Sequence, residues 1–367
     1  MSNELLYQLA LTLVPNIGVV HAKILVEQFG GAENIFKTKR KELSCIENIG
    51  DIRAKSIKEF TDFKRAEEEI KFIEKYKITP LFLTDDAYPK RLLNCYDSPT
   101  LLYFKGNTDL NKSKIISIIG TRSHTNYGKE LTEKLVEGLK EQDAVICSGL
   151  AYGIDAIAHK AALQNGLQTV AVLAHGLHTI YPGQHKNLAK EIIADGGLLT
   201  EFRNSDKPDK HNFPKRNRIV AGMADATIVI ETAIKGGSLI TAELANNYNR
   251  DVFAFPGKTT DTKSEGCNYL IKNNKASLIN NADDLLEMMN WKPIAKPNIK
   301  KQRELFIELT ADEKVMVDIL QQQEQVQIDE LYFKSGLSSS AVATALLMLE
   351  MQCVVASLPG KVYKIVQ

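Results

Sequence analysis

Five short apolar runs constrain the possible fold more than any other feature of this sequence. The runs are Ile115–Ile119, Ala144–Cys147, Thr169–Leu173, Ala226–Ile230 and Asp251–Phe255. Segments with helical spacing lie between them and include Tyr127–Leu139, Asp155–Leu163 and Leu239–Asn247. Continuous apolar runs that alternate with helices are typical of buried parallel strands. The sequence therefore predicts an α/β fold with a Rossmann-like, doubly wound and mostly parallel sheet over residues 81–290.

An internal repeat with a period of 32 residues lies within residues 1–80, which we predict to be a helical domain. Val14–Gly18 matches Ile46–Gly50, and an Ala-Lys pair follows each copy at the same distance. Each copy predicts two helices joined by a tight hairpin, where glycine is permissive and Asn16 and Asn48 tolerate a left-handed backbone. The pattern resembles tandem helix-hairpin-helix (SAM-like) motifs, whose hairpin amides face a phosphate. Those motifs have glycine where both asparagines stand, so a helical bundle without a DNA role is the alternative.

The last part of the chain predicts a winged-helix domain over residues 304–367, after a linker over 291–303. Its expected elements are a helix capped by Thr310, a helix over Gln327–Phe333, a helix from Ser338 to Glu350 and two strands around Leu358-Pro359-Gly360. Such domains often bind duplex DNA through the third helix. Because that helix here contains no Arg or Lys, we expect it to contact protein or to serve packing instead.

The formal net charge is only +1, so any surface for a polyanion must come from local clusters of basic residues. The first cluster lies in residues 203–218 and consists of Arg203, Lys207, Lys210, Lys215, Arg216 and Arg218. The second lies in residues 292–303 and consists of Lys292, Lys296, Lys300, Lys301 and Arg303. A solvated loop or linker is the alternative for each cluster.

Several classes of protein are excluded by features that the sequence lacks. The five cysteines are scattered without a CxxC pattern, which predicts no zinc site and a reducing cytoplasm. No apolar run approaches the ~18 residues of a membrane span. Gly120 and Gly128-Lys129-Glu130 imitate a Walker A loop, but the spacing and Glu130 depart from it, and no GxGxxG follows the first strand. We therefore predict no cofactor, no metal, no membrane contact and no enzymatic activity.

Glycine-rich and polar segments follow the predicted strands, where open α/β sheets bind their ligands. Gly120 and Gly149 would let a ligand approach the backbone, and the helices after them would direct their N-termini toward it. Arg122 adds a guanidinium suited to phosphate oxygens. Gly237-Ser238, before another helix, forms a further nest of this kind. Together these segments predict a site for an anionic ligand.

Side chains near these turns allow more than one role. Phe213 and Tyr181 either stack on a base or belong to the core. Arg216 and Arg218 would point the same way if their segment is extended. Asp155 is interpreted as the cap of its helix, and His159 as a packed histidine rather than a catalyst.

Seven stretches in a fixed order carry a closer resemblance. They are Ile119–Arg122, Ser148–Asp155, Ala158-His159, Tyr181-Pro182, Phe213–Ile219, Gly237–Ala242 and Asp251–Gly257. Together they resemble the bacterial DNA-processing protein A family, also called DprA or Smf. One departure is Gly183, which stands where many members have a lysine directly after Tyr-Pro.

The resemblance implies a protein that binds and protects single-stranded DNA in the cytoplasm and helps to load the RecA recombinase during natural transformation. It further implies a homodimer formed through the Rossmann domain. The candidate DNA-binding residues are Gly120, Thr121, Arg122, Ser148, Gly149, Tyr152, Gly153, Lys186, Phe213, Lys215, Arg216, Asn217, Arg218, Gly237 and Ser238.

Two alternatives belong to other classes of protein. Gly237–Glu243 partly imitates the pattern of nucleoside-monophosphate phosphoribohydrolases, in which Arg218 would bind phosphate and Glu243 would stabilise a ribosyl cation. A protein adaptor whose basic loop contacts acidic partners is the other alternative.

Overall fold

The computed structural model describes residues 3–291, 309–323, 325–352, 354–358 and 360–365. These residues form two compact units, one within residues 1–292 and the other within 293–367. The second basic cluster and most of the predicted linker lie outside the described residues, as does Cys353. Among the described residues, none of the helices combines the length and the apolar character that a membrane span requires.

The first unit begins with six helices, and their hairpins confirm the predicted repeat. The helices are α1 Asn3–Leu13, α2 Val19–Phe29, α3 Ala32–Lys37, α4 Arg40–Ser44, α5 Gly50–Lys58 and α6 Phe63–Tyr76. Asn16 and Asn48 both have a φ of 65°, in the left-handed region. The glycines differ, because Gly50 has a φ of 62° whereas Gly18 is extended and precedes α2.

The predicted doubly wound sheet is confirmed in the described part of this unit. Its strands are β1 Thr79–Phe82, β2 Leu101–Gly106, β3 Ile115–Ile119, β4 Val145–Ser148, β5 Thr169–Val172, β6 Gly196–Thr200, β7 Ala226–Val229, β8 Asp251–Ala254 and β9 Ser277–Leu278. The order is β1-β2-β6-β5-β4-β3-β7-β8-β9, with β3 to β9 parallel and β1 and β2 antiparallel. The order of winding reverses between β3 and β7, which makes a crevice at their carboxyl ends.

Eight helices accompany the described strands. They are α7 Lys90–Leu93, α8 Asn126–Gly138, α9 Ile154–Gln164, α10 Lys186–Ala194, α11 Asn212–Met223, α12 Gly237–Asn247, α13 Glu265–Lys272 and α14 Ala282–Met288. Side chains alternate between the two faces of β3, as strand geometry requires. Ile115 and Ile119 join a core that also contains the N-terminal helices, whereas Ile116 and Ile118 join the core on the opposite face.

The second unit has the predicted winged-helix elements. They are α15 Ala311–Leu320, β10 Val326–Gln327, α16 Ile328–Ser335, α17 Ser339–Met351, β11 Val355–Leu358 and β12 Val362–Ile365. Thr310 and Ser338 cap α15 and α17 through their side chains, as expected. Met316, Leu331 and Leu349 are at the centre of the core of this unit.

Candidate nucleic-acid interface

A cleft of about 740 Å³ opens where the winding order of the sheet reverses. We call it the switch-point cleft, and it lies at the ends of β3, β4 and β7 and beside α11 and α12. Of the predicted site residues, its lining includes Gly120, Thr121, Arg122, Gly149, Phe213, Arg216, Asn217, Gly237 and Ser238. The structure therefore brings together most of the residues selected from the sequence.

Three glycines at or next to this cleft are required by contacts within the protein. A Cβ at Gly120 would overlap the side chain of Ile154, and one at Gly149 would overlap Arg216 and Asp155. Gly153 has a φ of 79°, and a Cβ there would overlap the carbonyl oxygen of Thr121. The predicted reason, close approach of a ligand, is therefore not needed to explain Gly120 or Gly149.

Two helices begin at the cleft without a capping side chain. Gly153 precedes α9 and Gly236 precedes α12, and neither can supply a side-chain acceptor. Gly237 is exposed, and a Cβ there would meet nothing within 4 Å. Ser238 is buried and donates its hydroxyl to Thr232 at 2.7 Å. The exposed start of α12 thus provides a helix N-terminus, which favours an anion.

An exposed cation and two aromatic rings lie at the mouth of the cleft. The Arg122 guanidinium is 5.1 Å from the centre of the Phe213 ring, a distance that permits a cation–π contact. The Tyr181 ring is 6.2 Å from that of Phe213, and Tyr181 is 50% exposed. Of the two roles predicted for these aromatics, the structure excludes burial in the core for Tyr181 and leaves Phe213 half-buried.

Arg216 forms a buried positive charge at the cleft, where it is 5% exposed. It donates to the carbonyl oxygen of Val172 and lies with Asp155 beside Gly149. Burial lowers the pKa of Arg216 and raises the pKa of Asp155, while the charge of each opposes the shift of the other. Asp155 lies in the first turn of α9 and accepts from Ala151 at 3.3 Å, so the prediction that it caps the helix is wrong.

Arg218 does not join Arg216, because their side chains would point the same way only in an extended segment and this segment is a helix. Residues 212–223 are helical, so side chains two residues apart point in nearly opposite directions. Arg218 instead forms an ion pair with Glu201 and donates to the carbonyl oxygen of Asp97. Burial raises the pKa of Glu201, and the charge of Arg218 opposes that shift.

The remaining predicted residues lie around the cleft rather than in its lining. Ser148 is buried and donates to the carbonyl oxygen of Ile118 at 2.6 Å. Tyr152 is exposed, and its hydroxyl donates to Gln184 at 2.5 Å, in the turn that leads into α10 at Lys186. Lys215 is exposed on α11 but does not line this cleft.

His159 is a packed histidine, as expected. Its Nε2 lies 2.6 Å from the Gly149 carbonyl oxygen, and its Nδ1 lies 2.6 Å from the Thr169 hydroxyl. Burial lowers its pKa to about 4, so the ring is neutral near pH 7. It supports the turn after β4 from beneath.

Glu231 holds the loop that carries Arg122, and the sequence analysis missed it. Its backbone carbonyl accepts from the Thr121 amide at 2.8 Å, and its buried carboxylate accepts from the Thr125 amide at 2.9 Å. An acidic residue directly after an apolar strand was the available signal. Among the described residues, no cluster of His, Cys, Asp and Glu is suited to hold a metal ion.

Comparison with known proteins identifies the family of the chain. The family model for DNA recombination-mediator protein A matches residues 79–290, which contain the whole switch-point cleft. The chain belongs to the DNA recombination-mediator protein A family. A helix-hairpin-helix model matches residues 6–70 and a DprA winged helix model matches residues 306–361, on either side of this family's core.

Relatives within the family extend over most of the chain. DNA processing protein DprA of Streptococcus pneumoniae is 44% identical over 210 residues, which are 57% of this chain and 74% of the relative. Protein Smf of a Synechocystis species is 36% identical over 300 residues, 80% of this chain and 74% of the relative. These matches confirm the resemblance seen in the sequence.

Two solved structures of family members resemble this one. The X-ray structure of DprA from Streptococcus pneumoniae has a TM-score of 0.66 at 35% identity and covers 78% of this chain and 98% of its own. The structure of DNA processing protein A from Helicobacter pylori, described for its single-stranded DNA binding mode, has a TM-score of 0.53 at 32% identity. It covers 58% of this chain and 96% of its own.

Proposed function

We propose that the switch-point cleft binds single-stranded DNA by base stacking and phosphate contacts. The cluster of Arg122, Phe213 and Tyr181 carries this proposal, because it combines a guanidinium with two accessible rings. Aromatic rings within a cationic groove hold single strands without regard to sequence. The bases of a duplex are stacked on one another, so their faces are not free for such rings. A preference for single strands follows.

Of the other residues, some contact the DNA and the rest hold the contacting residues in position. Arg122, Lys210 and the exposed start of α12 at Gly237 are placed for phosphate oxygens. Thr121 and Asn217 are placed for polar contacts with sugar or base edges. The supporting residues are Gly120, Ser148, Gly149, Gly153, Arg216 and Ser238. Tyr152 and Lys186 would extend the contact beyond the cleft, and Arg218 would act only through its ion pair.

The cellular role proposed here rests on family membership. The relative from Helicobacter pylori is described by its binding of single-stranded DNA, and the family is that of a recombination mediator. We infer that this chain acts in the bacterial cytoplasm as a homodimer joined through the Rossmann domain. There it protects single strands and helps to load RecA in transformation and recombination, without catalysis.

The phosphoribohydrolase alternative is not supported by the geometry. That activity needs Arg218 and Glu243 in one site. Arg218 is held by Glu201, and Glu243 lies outside the cleft with its carboxylate 3.3 Å from Lys275. Neither residue lines the switch-point cleft.

The test is fluorescence anisotropy of a labelled oligonucleotide, single-stranded against duplex, over a series of salt concentrations. We expect the single strand to bind more tightly, with a log–log salt slope of about −0.7 for each phosphate contacted. Arg122→Glu should weaken this binding about tenfold or more, since it replaces a phosphate contact with a repulsion. Lys140→Glu makes the same charge change at an exposed site after α8 that does not line the cleft, and it should have little effect. Equal binding of both DNA forms, or unchanged affinity in folded Arg122→Glu, contradicts the proposal.

A further inference from the structure

A second cleft, of about 660 Å³, lies on the other side of residues 201–215, the segment that also lines part of the switch-point cleft. We call it the hairpin cleft because the first hairpin lines it through Ile17, Gly18 and Val19. The end of α1, the start of β2 and residues 201–215 line the rest. From the sequence, the hairpin amides resemble those that face a phosphate and Lys215 is expected to bind DNA, and this cleft brings the two together.

The two clefts share one wall, made by residues 201–215. Lys207 and Lys215 line the hairpin cleft, whereas Lys210 and Phe213 line the switch-point cleft. The wall is held in place, because the Asn204 amide donates to Glu69 of α6 at 2.8 Å and the carbonyl oxygen of Asp206 accepts from Gly176 at 2.9 Å. A linear polymer that leaves one cleft and crosses this wall therefore enters the other cleft.

The hairpin cleft has positive charge that is not neutralised internally. Its acidic side chains have partners, since Glu201 pairs with Arg218 and Asp206 pairs with Arg203 at 3.5 Å. Lys207 and Lys215 are exposed, and neither forms an ion pair among the described residues, although the charge of Lys215 acts on Glu201. The spare charge on the wall therefore suits an anionic ligand.

The rest of the cleft suits a ligand that is also polar. Helix α2 is 11 residues long and begins here after Gly18, which has no side chain to cap it. Tyr103 is 3% exposed, and its hydroxyl lies near Glu69 but has no partner at hydrogen-bond distance in the described part of the chain. Oε1 of Glu201 also lacks a partner there. These unmet donors and acceptors favour a ligand with both phosphates and hydrogen-bonding groups.

We propose that the hairpin cleft binds a second stretch of the same DNA single strand, which crosses the wall from the switch-point cleft. Lys207, Lys215 and the start of α2 contact its phosphates. This inference rests on the proposed function, because it lengthens the same binding path. In this arrangement the first hairpin contacts the DNA from one side of the cleft, and the sheet domain contacts it from the opposite side.

The experiment compares the full chain on a short and a long oligothymidine, of about 6 and about 20 nucleotides, since sites on single strands span roughly 4 to 16. The short strand fills the switch-point cleft alone, whereas the long strand reaches both clefts. In the double variant Lys207→Gln/Lys215→Gln, we expect affinity for the long strand to fall about three- to tenfold and its salt slope to become shallower by about 1.4. Affinity for the short strand should stay within about twofold.

The matched control is Lys134→Gln/Lys140→Gln, which removes the same charge from exposed positions on or next to α8 that line neither cleft. This control should change the affinity for neither oligonucleotide. A second pair tests the hairpin itself. Gly18→Asp and Gly18→Ser both supply a helix cap, and a Cβ there meets only His21 at 3.9 Å, so both should fold. Only the aspartate repels phosphate, so Gly18→Asp should weaken binding of the long strand alone.

The outcomes separate this inference from the proposed function. If wild type does not bind the short strand, or if Arg122→Glu binds it as wild type does, the proposed function itself fails. If short-strand binding holds but the lysine variant loses no more affinity for the long strand than its control does, the inference is overturned. Equal loss on both lengths also overturns it.

Discussion

The two hairpins of the N-terminal repeat share a sequence pattern but differ in what surrounds them. In the first, the Lys23 ammonium donates to the carbonyl oxygens of Leu93 and Cys95 at 2.6 and 3.0 Å and to the Ser98 hydroxyl at 3.2 Å. In the second, the equivalent Lys55 is 54% exposed and pairs with Glu59 at 3.8 Å. A repeated motif therefore anchors the helices to the sheet domain in one copy and faces solvent in the other.

The difference extends to the hairpin tips. Ile52 in the second copy is 73% exposed, whereas Val20 at the same repeat position is 42% exposed. The tips are also linked, since Arg53 donates to the carbonyl oxygen of Asn16 at 3.2 Å and Asn16 donates to Ser56 at 3.2 Å. Similarity of sequence thus predicts the shape of each hairpin but not its environment.

The largest effect should come from removing the anchoring lysine. Lys23→Ala leaves two carbonyl groups without their charged donor, and such a loss costs about 2–3 kcal/mol of unfolding free energy. Lys55→Ala removes an exposed side chain and should change stability little. Urea denaturation of both variants measures the contrast. Similar stabilities would show that the first hairpin is not an anchor.

A smaller effect is expected from one substitution made in both turns. Gly50→Ser forces a side chain into a left-handed backbone, which costs about 1–2 kcal/mol. Gly18→Ser should be neutral or stabilising, because Gly18 is extended and serine caps a helix well. The midpoints of urea denaturation of the two variants measure this contrast. An equal loss of stability would contradict the difference in backbone conformation between Gly18 and Gly50.

The smallest effect is a pKa shift in the first copy, where His21 occupies the repeat position of Arg53. Burial and the nearby charge of Arg53 lower the pKa of His21 below 6.5. The folded state therefore binds fewer protons, so this contribution to stability is present above pH 6.5 and is lost as the pH falls below it. Arg53→Gln should raise the His21 pKa, measured by NMR titration of the ring. An unchanged pKa would mean that the hairpins are not coupled in this way.

The sequence predicted correctly those elements that depend on residues close to one another in the chain. The strand Ile115–Ile119 was predicted with the bounds that the structure has, and the caps Thr310 and Ser338 were found because capping needs only neighbouring residues. Strand β6 was missed because it begins with Gly196-Gly197. A Cβ at these glycines would overlap Thr169 and Phe104, which are distant in sequence.

The sequence predicted which strand ends form the candidate site. It did not predict the direction in which each side chain at the site points. Arg216 and Arg218 would point the same way in an extended segment, yet Pro214 lies in the first turn of α11, where a missing amide proton costs nothing. Consequently Arg218 turns to Glu201, a partner that no spacing rule identifies. An acidic residue after an apolar strand marks Glu231 in the sequence, but its partners in the Arg122 loop are not predictable, because these contacts reach from the end of β7 to the loop after β3.

The crowding around Gly149 and Gly153 has a consequence for mutational scanning. Substitutions at either position should be rejected in a screen that selects only for a folded protein, before any DNA is offered. Arg122 and Tyr181, which are exposed, should accept many residues in that screen and few in one that selects for binding. Intolerance at the glycines therefore reports on folding, and only the difference between the two screens maps the contact surface.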